Sequence, residues 1–176
     1  MRRESPDIDP FLEIAVKNVF VPLVLASALC CSIALAQVAV QASADQEKLL
    51  ASADPKLAAN KRFTYDFWRE VFEGAHMELA DKYMAESYIQ HNPNVPTGRA
   101  AFVDFFTRVR KPATIEPRIK APLVAVVAEG DYVVLSFARE NADPKDPAKK
   151  YSTTWFDMFR IENGKITEHW DPALKP

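Results

Sequence analysis

Apolar and polar positions alternate along this chain with two different periods, and the change of period divides it. From Asn60, the apolar residues Phe63, Phe67, Trp68, Val71 and Phe72 form one stripe at helical spacing, and Gly74 is the expected stop. Met77, Ala80, Tyr83 and Met84 predict a second, shorter helix. Residues 86–92 read as extended, and Asn92-Pro93-Asn94 with Pro96 as a loop. Thr97 is the expected N-cap of a third helix, in which Phe102, Phe105, Phe106 and Val109 share a face. After Pro112 the period becomes two. Ile115–Ala128, Tyr132–Glu140, Tyr151–Ile161 and Ile166–Trp170 read as four antiparallel strands. Glu129-Gly130-Asp131, the charged loop 141–150 and Asn163-Gly164 separate them, the last being a dipeptide favoured in type I′ hairpins. Helices first and strands second predict an α+β fold. In it, a curved antiparallel sheet wraps around the N-terminal helices and leaves a pocket between them.

Ahead of this domain, residues 19–40 form an uncharged apolar run preceded by Lys17. Ala34-Leu35-Ala36 offers a cleavage site, so residues 1–36 read as a signal peptide that directs export to the periplasm or beyond. An uncleaved membrane anchor is the alternative, because the run is about long enough to span a bilayer. Residues 37–59 read as a linker and weak helix, and 60–176 as the folded domain. Both cysteines, Cys30 and Cys31, lie in the apolar run, which leaves no thiol or disulfide in the domain. A net charge of −2 with pI near 5.9 gives no basic footprint for nucleic acid. Four glycines in 176 residues leave no phosphate-cradling loop, and no Gly-x-Ser-x-Gly elbow is present.

Two polar clusters carry the candidate chemistry: Tyr88-Ile-Gln-His-Asn-Pro93, and the final strand Lys165-Ile-Thr-Glu-His-Trp-Asp171. His91 and His169 are acid–base candidates, since imidazole titrates near neutrality. The competing role for His91 is bracing a loop. Asn92 either orients a substrate carbonyl or closes an Asx turn before Pro93. Asp157 lies mid-strand, and alternation groups it with Trp155, Phe159 and Ile161 on what should be the inner face. A carboxylate among aromatics should hold its proton unusually well and suits proton abstraction beside a carbonyl. The alternative is an Asp paired with Arg or His as a brace. Asp171 shares a strand face with His169, opposite Glu168 and Trp170. Trp155, Trp170, Phe67 and Tyr88 are candidates for the substrate-contacting wall. No metal site is expected, because no two of His76, His91 and His169 stand at i, i+4.

The segments Tyr88–Pro93, Trp155-Phe-Asp-Met-Phe-Arg160 and Glu162-Asn-Gly-Lys-Ile-Thr-Glu-His-Trp-Asp171, with Gly98 opening a Phe-rich helix, resemble the SnoaL-like polyketide cyclase family of the nuclear-transport-factor-two-like superfamily. The resemblance spans residues 60–174. It implies a cone-like barrel with a deep apolar pocket, dimerisation through the outer sheet face, and aldol-type acid–base chemistry without cofactor or metal. Carried over, the acidic candidates are Asp157 and Asp171, with His91, Asn92 and His169 near them. Three functions follow as expectations. The first is an enzyme acting on a small apolar carbonyl compound by aldol, cyclase or isomerase chemistry. The second is an exported binding or accessory protein whose His and Asp residues sit in surface bridges. The third is a structural dimer module whose sheet face serves protein contacts, with a filled interior and an apolar outer sheet face.

Overall fold

The computed structural model describes residues 37–176; the signal-peptide expectation for residues 1–36 lies outside them. Asp54 caps the main helix, α2 (Pro55–Phe67), by accepting from the Lys56 and Leu57 amides, and Pro55 supplies a preset first-turn φ. The helix therefore starts before Asn60. It runs on as a π-helical turn, Trp68–Glu73. Gly74 ends it in a right-handed conformation, and its role is steric. A Cβ there would come within 2.7 Å of the Glu70 carbonyl oxygen, while Ala75 takes the left-handed position at φ 57°. Gly74→Ala is expected to cost about 1–3 kcal/mol in chemical denaturation, because the clash is with backbone.

A 3₁₀ turn, Met77–Leu79, and the short α3 (Ala80–Tyr83) lead into β1 (Met84–Gln90). Helix α4 (Arg99–Val109) follows, then β2 (Leu123–Glu129), β3 (Tyr132–Ala142), β4 (Lys150–Glu162) and β5 (Lys165–Trp170). Among the described residues these strands make one open, curved sheet in the order β1-β5-β4-β3-β2. The four-stranded meander is antiparallel as expected, and β1 joins its edge in parallel to β5. The β4–β5 turn has Asn163 at φ 50° and Gly164 at φ 71°, both left-handed as a type I′ turn requires.

Three local expectations change. The cap of α4 is Gly98, not Thr97. The chain there runs at φ 96° so that the Gly98 amide donates to the Tyr88 carbonyl (2.8 Å). Thr97 instead uses its hydroxyl on the backbone of Gln90. The long strand from Ile115 shrinks to Leu123–Glu129, because Pro117 and Pro122 lack the amide a ladder needs. Finally, residues 37–59 are packed onto the domain. A short helix α1 (Gln46–Leu49) sits within them. Gln46 bonds both the Tyr65 hydroxyl and the Ile119 carbonyl, and Leu50 joins the core.

The core lies between the inner sheet face and α2. Leu135, Val133, Phe159, Ile161 and Ile166 from the strands meet Phe67, Trp68 and Val71 from the helix. Aromatic rings link the layers, with Phe67 edge-on to Phe159 (5.7 Å) and Trp68 stacked on Phe137 (4.7 Å).

Candidate active site

Helices and sheet leave a cavity of about 550 Å³ between them. Its wall is mostly aromatic: Phe67, Trp68, Phe72, Phe102, Phe137 and Trp155 contribute. Its polar lining comprises Tyr88, Gln90, Asp157, His169 and Asp171, together with Arg110 and Arg139.

Strand register explains why these groups meet. Phe159 faces His169 across the β4–β5 ladder. Asp157, two residues along on the same face, is therefore the diagonal neighbour of His169. The Asp157 Oδ1 atom lies 3.0 Å from His169 Nε2. On the other side of β5, Gln90 pairs with His169, and its Oε1 lies 2.8 Å from His169 Nδ1. Asp171, just past the end of β5, completes a set whose ligating atoms lie within 4.8 Å of one another.

Hydrogen positions follow from the donors that have no choice. The Asn92 backbone N–H can only donate, and it donates to Gln90 Oε1 (3.0 Å). That orients the Gln90 amide, whose Nε2 then donates to the Tyr88 hydroxyl (2.9 Å). Oε1 is thus an acceptor toward His169, and His169 Nδ1 must carry a hydrogen. The Nε2–Oδ1 contact then needs one more hydrogen, held either by Asp157 as a carboxylic acid or by His169 as an imidazolium. The dyad shares a single proton in both forms.

Burial favours the neutral form. Asp157 is 3% exposed and His169 7%. Desolvation pushes the Asp157 carboxyl above its ordinary range, and the Asp171 charge adds to this; the hydrogen bond and charge of His169 oppose it. The second Asp157 oxygen, Oδ2, is buried and has no hydrogen-bond partner among the described residues. It is the carboxyl oxygen that His169 leaves unpaired. The Tyr88 hydroxyl is also buried. It accepts from Gln90, so its own hydrogen is left to donate, and burial with the nearby Asp171 and Asp157 charges keeps it protonated.

The candidates are not all brought together. Asp157, His169, Asp171, Tyr88, Phe67 and Trp155 line the cavity. His91 does not. It follows Gln90 by one residue, so its side chain emerges on the outer face. There it stacks flat on Trp170 (4.7 Å) and contacts Glu168 (3.1 Å), which also binds Arg160. His91 and Trp170 thus form an outer-face brace, the loop-bracing role weighed for His91. Asn92 acts indirectly: its Nδ2 donates to Asp171 Oδ2 (2.7 Å) and its Oδ1 accepts from the Asn94 amide, the Asx turn before the loop. Asp171 Oδ1 accepts from the Ala173 amide, so both its oxygens are engaged. Asp157, His169 and Asp171 are the group among the described residues that could hold a metal ion. To do so, His169 Nε2 would have to give up Asp157.

A model of the SnoaL-like domain family matches residues 66–169, well over half of the chain. The chain belongs to the SnoaL-like family. A candidate polyketide cyclase from Acidithiobacillus ferrooxidans is similar at 21% identity and TM-score 0.46, over 69% of this chain and 89% of that one. An NTF2-like protein of unknown function from Burkholderia pseudomallei gives 14% identity and TM-score 0.45, over 64% and 88%. An LEH-like epoxide hydrolase of M. tuberculosis gives 13% and 0.45, over 64% and 76%. No curated protein matches the chain significantly. The SnoaL-like domain thus contains the whole Asp157–His169–Gln90 network.

Proposed function

We propose that this SnoaL-like domain catalyses proton transfer next to a carbonyl, of aldol, cyclase or isomerase type, on a small, largely apolar compound. The observation that carries this reading is the Asp157–His169 dyad in the wall of an apolar cavity, with one carboxyl oxygen left without a protein partner among the described residues. In the first step the α-carbon–hydrogen bond breaks and its proton passes to Asp157 Oδ2. The proton on the Oδ1–Nε2 contact ends on His169. The electron pair moves to the carbonyl oxygen, and the enolate so formed accepts a hydrogen bond from Tyr88. The dyad now holds two protons. In cyclase chemistry the enolate carbon bonds to a second carbonyl carbon, whose oxygen takes a proton back. In isomerase chemistry the proton returns to a different carbon. No step needs an oxidant or a cofactor.

The binding-protein alternative expects His and Asp in surface bridges. His91 is in one, while the dyad is buried. The filled-interior alternative is disfavoured by a cavity large enough for a two-ring molecule. Two further elements of the proposal rest on narrower grounds. Dimerisation is supported by Val127, Val134, Phe156 and Met158, which share the outer sheet face, with Val127 and Phe156 exposed. Export is supported by the apolar run at 19–40.

The test is deuterium uptake at the α-carbon of an apolar ketone such as 2-tetralone, followed by proton NMR in heavy water. Exchange above the buffer rate that requires Asp157 is the expected result. If a panel of such ketones exchanges no faster with the protein than with buffer, the acid–base reading fails.

A further inference from the structure

The cavity wall carries two cations that the chemistry above does not use, Arg110 and Arg139. Four other arginines, Arg62, Arg69, Arg108 and Arg160, each hold a carboxylate, while Arg99 and Arg118, which do not line this cavity, hold none among the described residues. Arg110 and Arg139 have none within 4.0 Å among the described residues. Arg110, the C-cap residue of α4, is half-buried. It donates to the Phe72 carbonyl, and its guanidinium lies over the Phe72 ring (4.4 Å) and near Phe106 (5.6 Å). A guanidinium has five donors, and this one spends a single nitrogen on protein. Burial already weakens its hold on charge. The acid whose charge it feels, Glu73, has both oxygens committed to the Lys120 and Ala121 amides (2.8 Å each). Arg110 is a cation kept in an apolar wall with its forked face unspent.

Arg139 lines the same cavity. The Glu73 carboxylate holds Ala121, the Pro122 carbonyl accepts from the Ala138 amide (2.9 Å), and Arg139 is next in sequence. By alternation Arg139 shares the inner face of β3 with Leu135 and Phe137. Its guanidinium lies over Trp155 at 4.6 Å. Leu135 is in register with Asp157, and Arg139 is four residues further on, about 13 Å along the strand. Arg139 therefore stands along the wall of the same cavity, away from Asp157.

We propose that the substrate is an apolar carbonyl compound that also bears a carboxylate, bound by Arg110 and Arg139, with its reacting carbonyl beside Asp157 and Tyr88. The carbonyl end of this inference rests on the acid–base reading; the carboxylate end rests on the arginines alone. A planar fork over aromatic rings is suited to a bidentate carboxylate, and a compact, strongly hydrated ammonium would not replace it fully.

The test uses two probes of one shape, 2-naphthylacetate and 2-naphthylacetamide, titrated calorimetrically into the full chain. The carboxylate is expected to bind at least about tenfold tighter than the amide. Arg110→Met should bring the carboxylate down to the amide's level, and Arg110→Lys should restore part of the difference. Should Arg110→Met fail to fold, the exposed Arg139→Gln carries the test, with an expected loss of roughly threefold or more in the carboxylate preference. Equal affinities for the two probes, no binding of either at about 1 mM, or a preference that survives both substitutions would overturn the proposal. Asp157→Asn should leave the preference intact. Carboxylate preference without ketone exchange would retain this inference and sink the catalytic one; exchange without preference would do the reverse.

Discussion

Asp157→Asn is expected to lower α-proton exchange by about 10²–10⁴-fold while the chain stays folded. The asparagine amide has the shape of a protonated carboxyl. Its Nδ2 can donate to His169 Nε2, and His169 Nδ1 can still donate to Gln90, so the hydrogen-bond chain of the native site survives. What disappears is the basic atom: an amide oxygen in place of Oδ2 does not accept a proton near neutrality. The same variant has a stability signature. Asp157 holds its proton more tightly in the folded chain than its ordinary value of 3.8 allows. The stabilisation that comes from this proton is fully present below that value. It is lost as pH rises from there through the raised folded value. Asparagine has nothing to lose in that window. The stability of Asp157→Asn relative to the native chain should therefore grow with pH across it, in denaturation run at several pH values. A structural brace predicts the opposite pair of results: unchanged exchange and a variant that is less stable at every pH.

The position of Asp157 was legible because strands have period two. Trp155, Asp157, Phe159 and Ile161 alternate with Arg160, and only one face of that set could be the inner one. The same rule applied to β1 would have separated Tyr88 and Gln90 from His91. Residue type drew attention to the histidine, while side-chain parity pointed to the glutamine before it. Parity also places Arg139 beside Phe137 on the inner face, although a lone arginine near a strand end carries no signature of its own. The Asn163-Gly164 hairpin was readable because left-handed φ values demand such residues. The parallel pairing of β1 with β5 and the seating of Gln46 and Leu50 were not readable. Both depend on contacts across long stretches of sequence, which no local pattern encodes. Gly74 shows a further limit: the helical pattern predicts a stop there, but the reason is a close approach to the Glu70 carbonyl of the π-helical turn.

Gln90→Leu is expected to cost about 2–4 kcal/mol of stability, because it orphans buried groups that Gln90 now satisfies. The His169 Nδ1–H and the Asn92 amide lose their acceptor, and the Tyr88 hydroxyl loses a donor. The chemical effect is separable from that loss. Without an acceptor at Nδ1, neutral His169 gains by moving its hydrogen to Nε2, where Asp157 accepts it. The His169–Asp157 pair then carries one hydrogen in all, against two in the native chain (Nδ1–H and the shared one), and with Nε2 already protonated no proton relay from Oδ1 to His169 can accompany uptake at Oδ2. Exchange should fall about 10–100-fold, the size seen where the partner that sets an imidazole tautomer is removed. Gln90→Glu separates orientation from charge. It restores an acceptor for Nδ1 and for the Asn92 amide, but it cannot donate to Tyr88, and its carboxylate favours a doubly protonated His169. Nitrogen-15 shifts of the His169 ring should report an Nε2 hydrogen in the leucine variant, an imidazolium in the glutamate variant, and a hydrogen on Nδ1 in the native chain. A native ring with its hydrogen on Nε2 alone would break the inference from Asn92 through Gln90 to the shared proton. Asp157 would then be an ordinary carboxylate accepting from a neutral histidine.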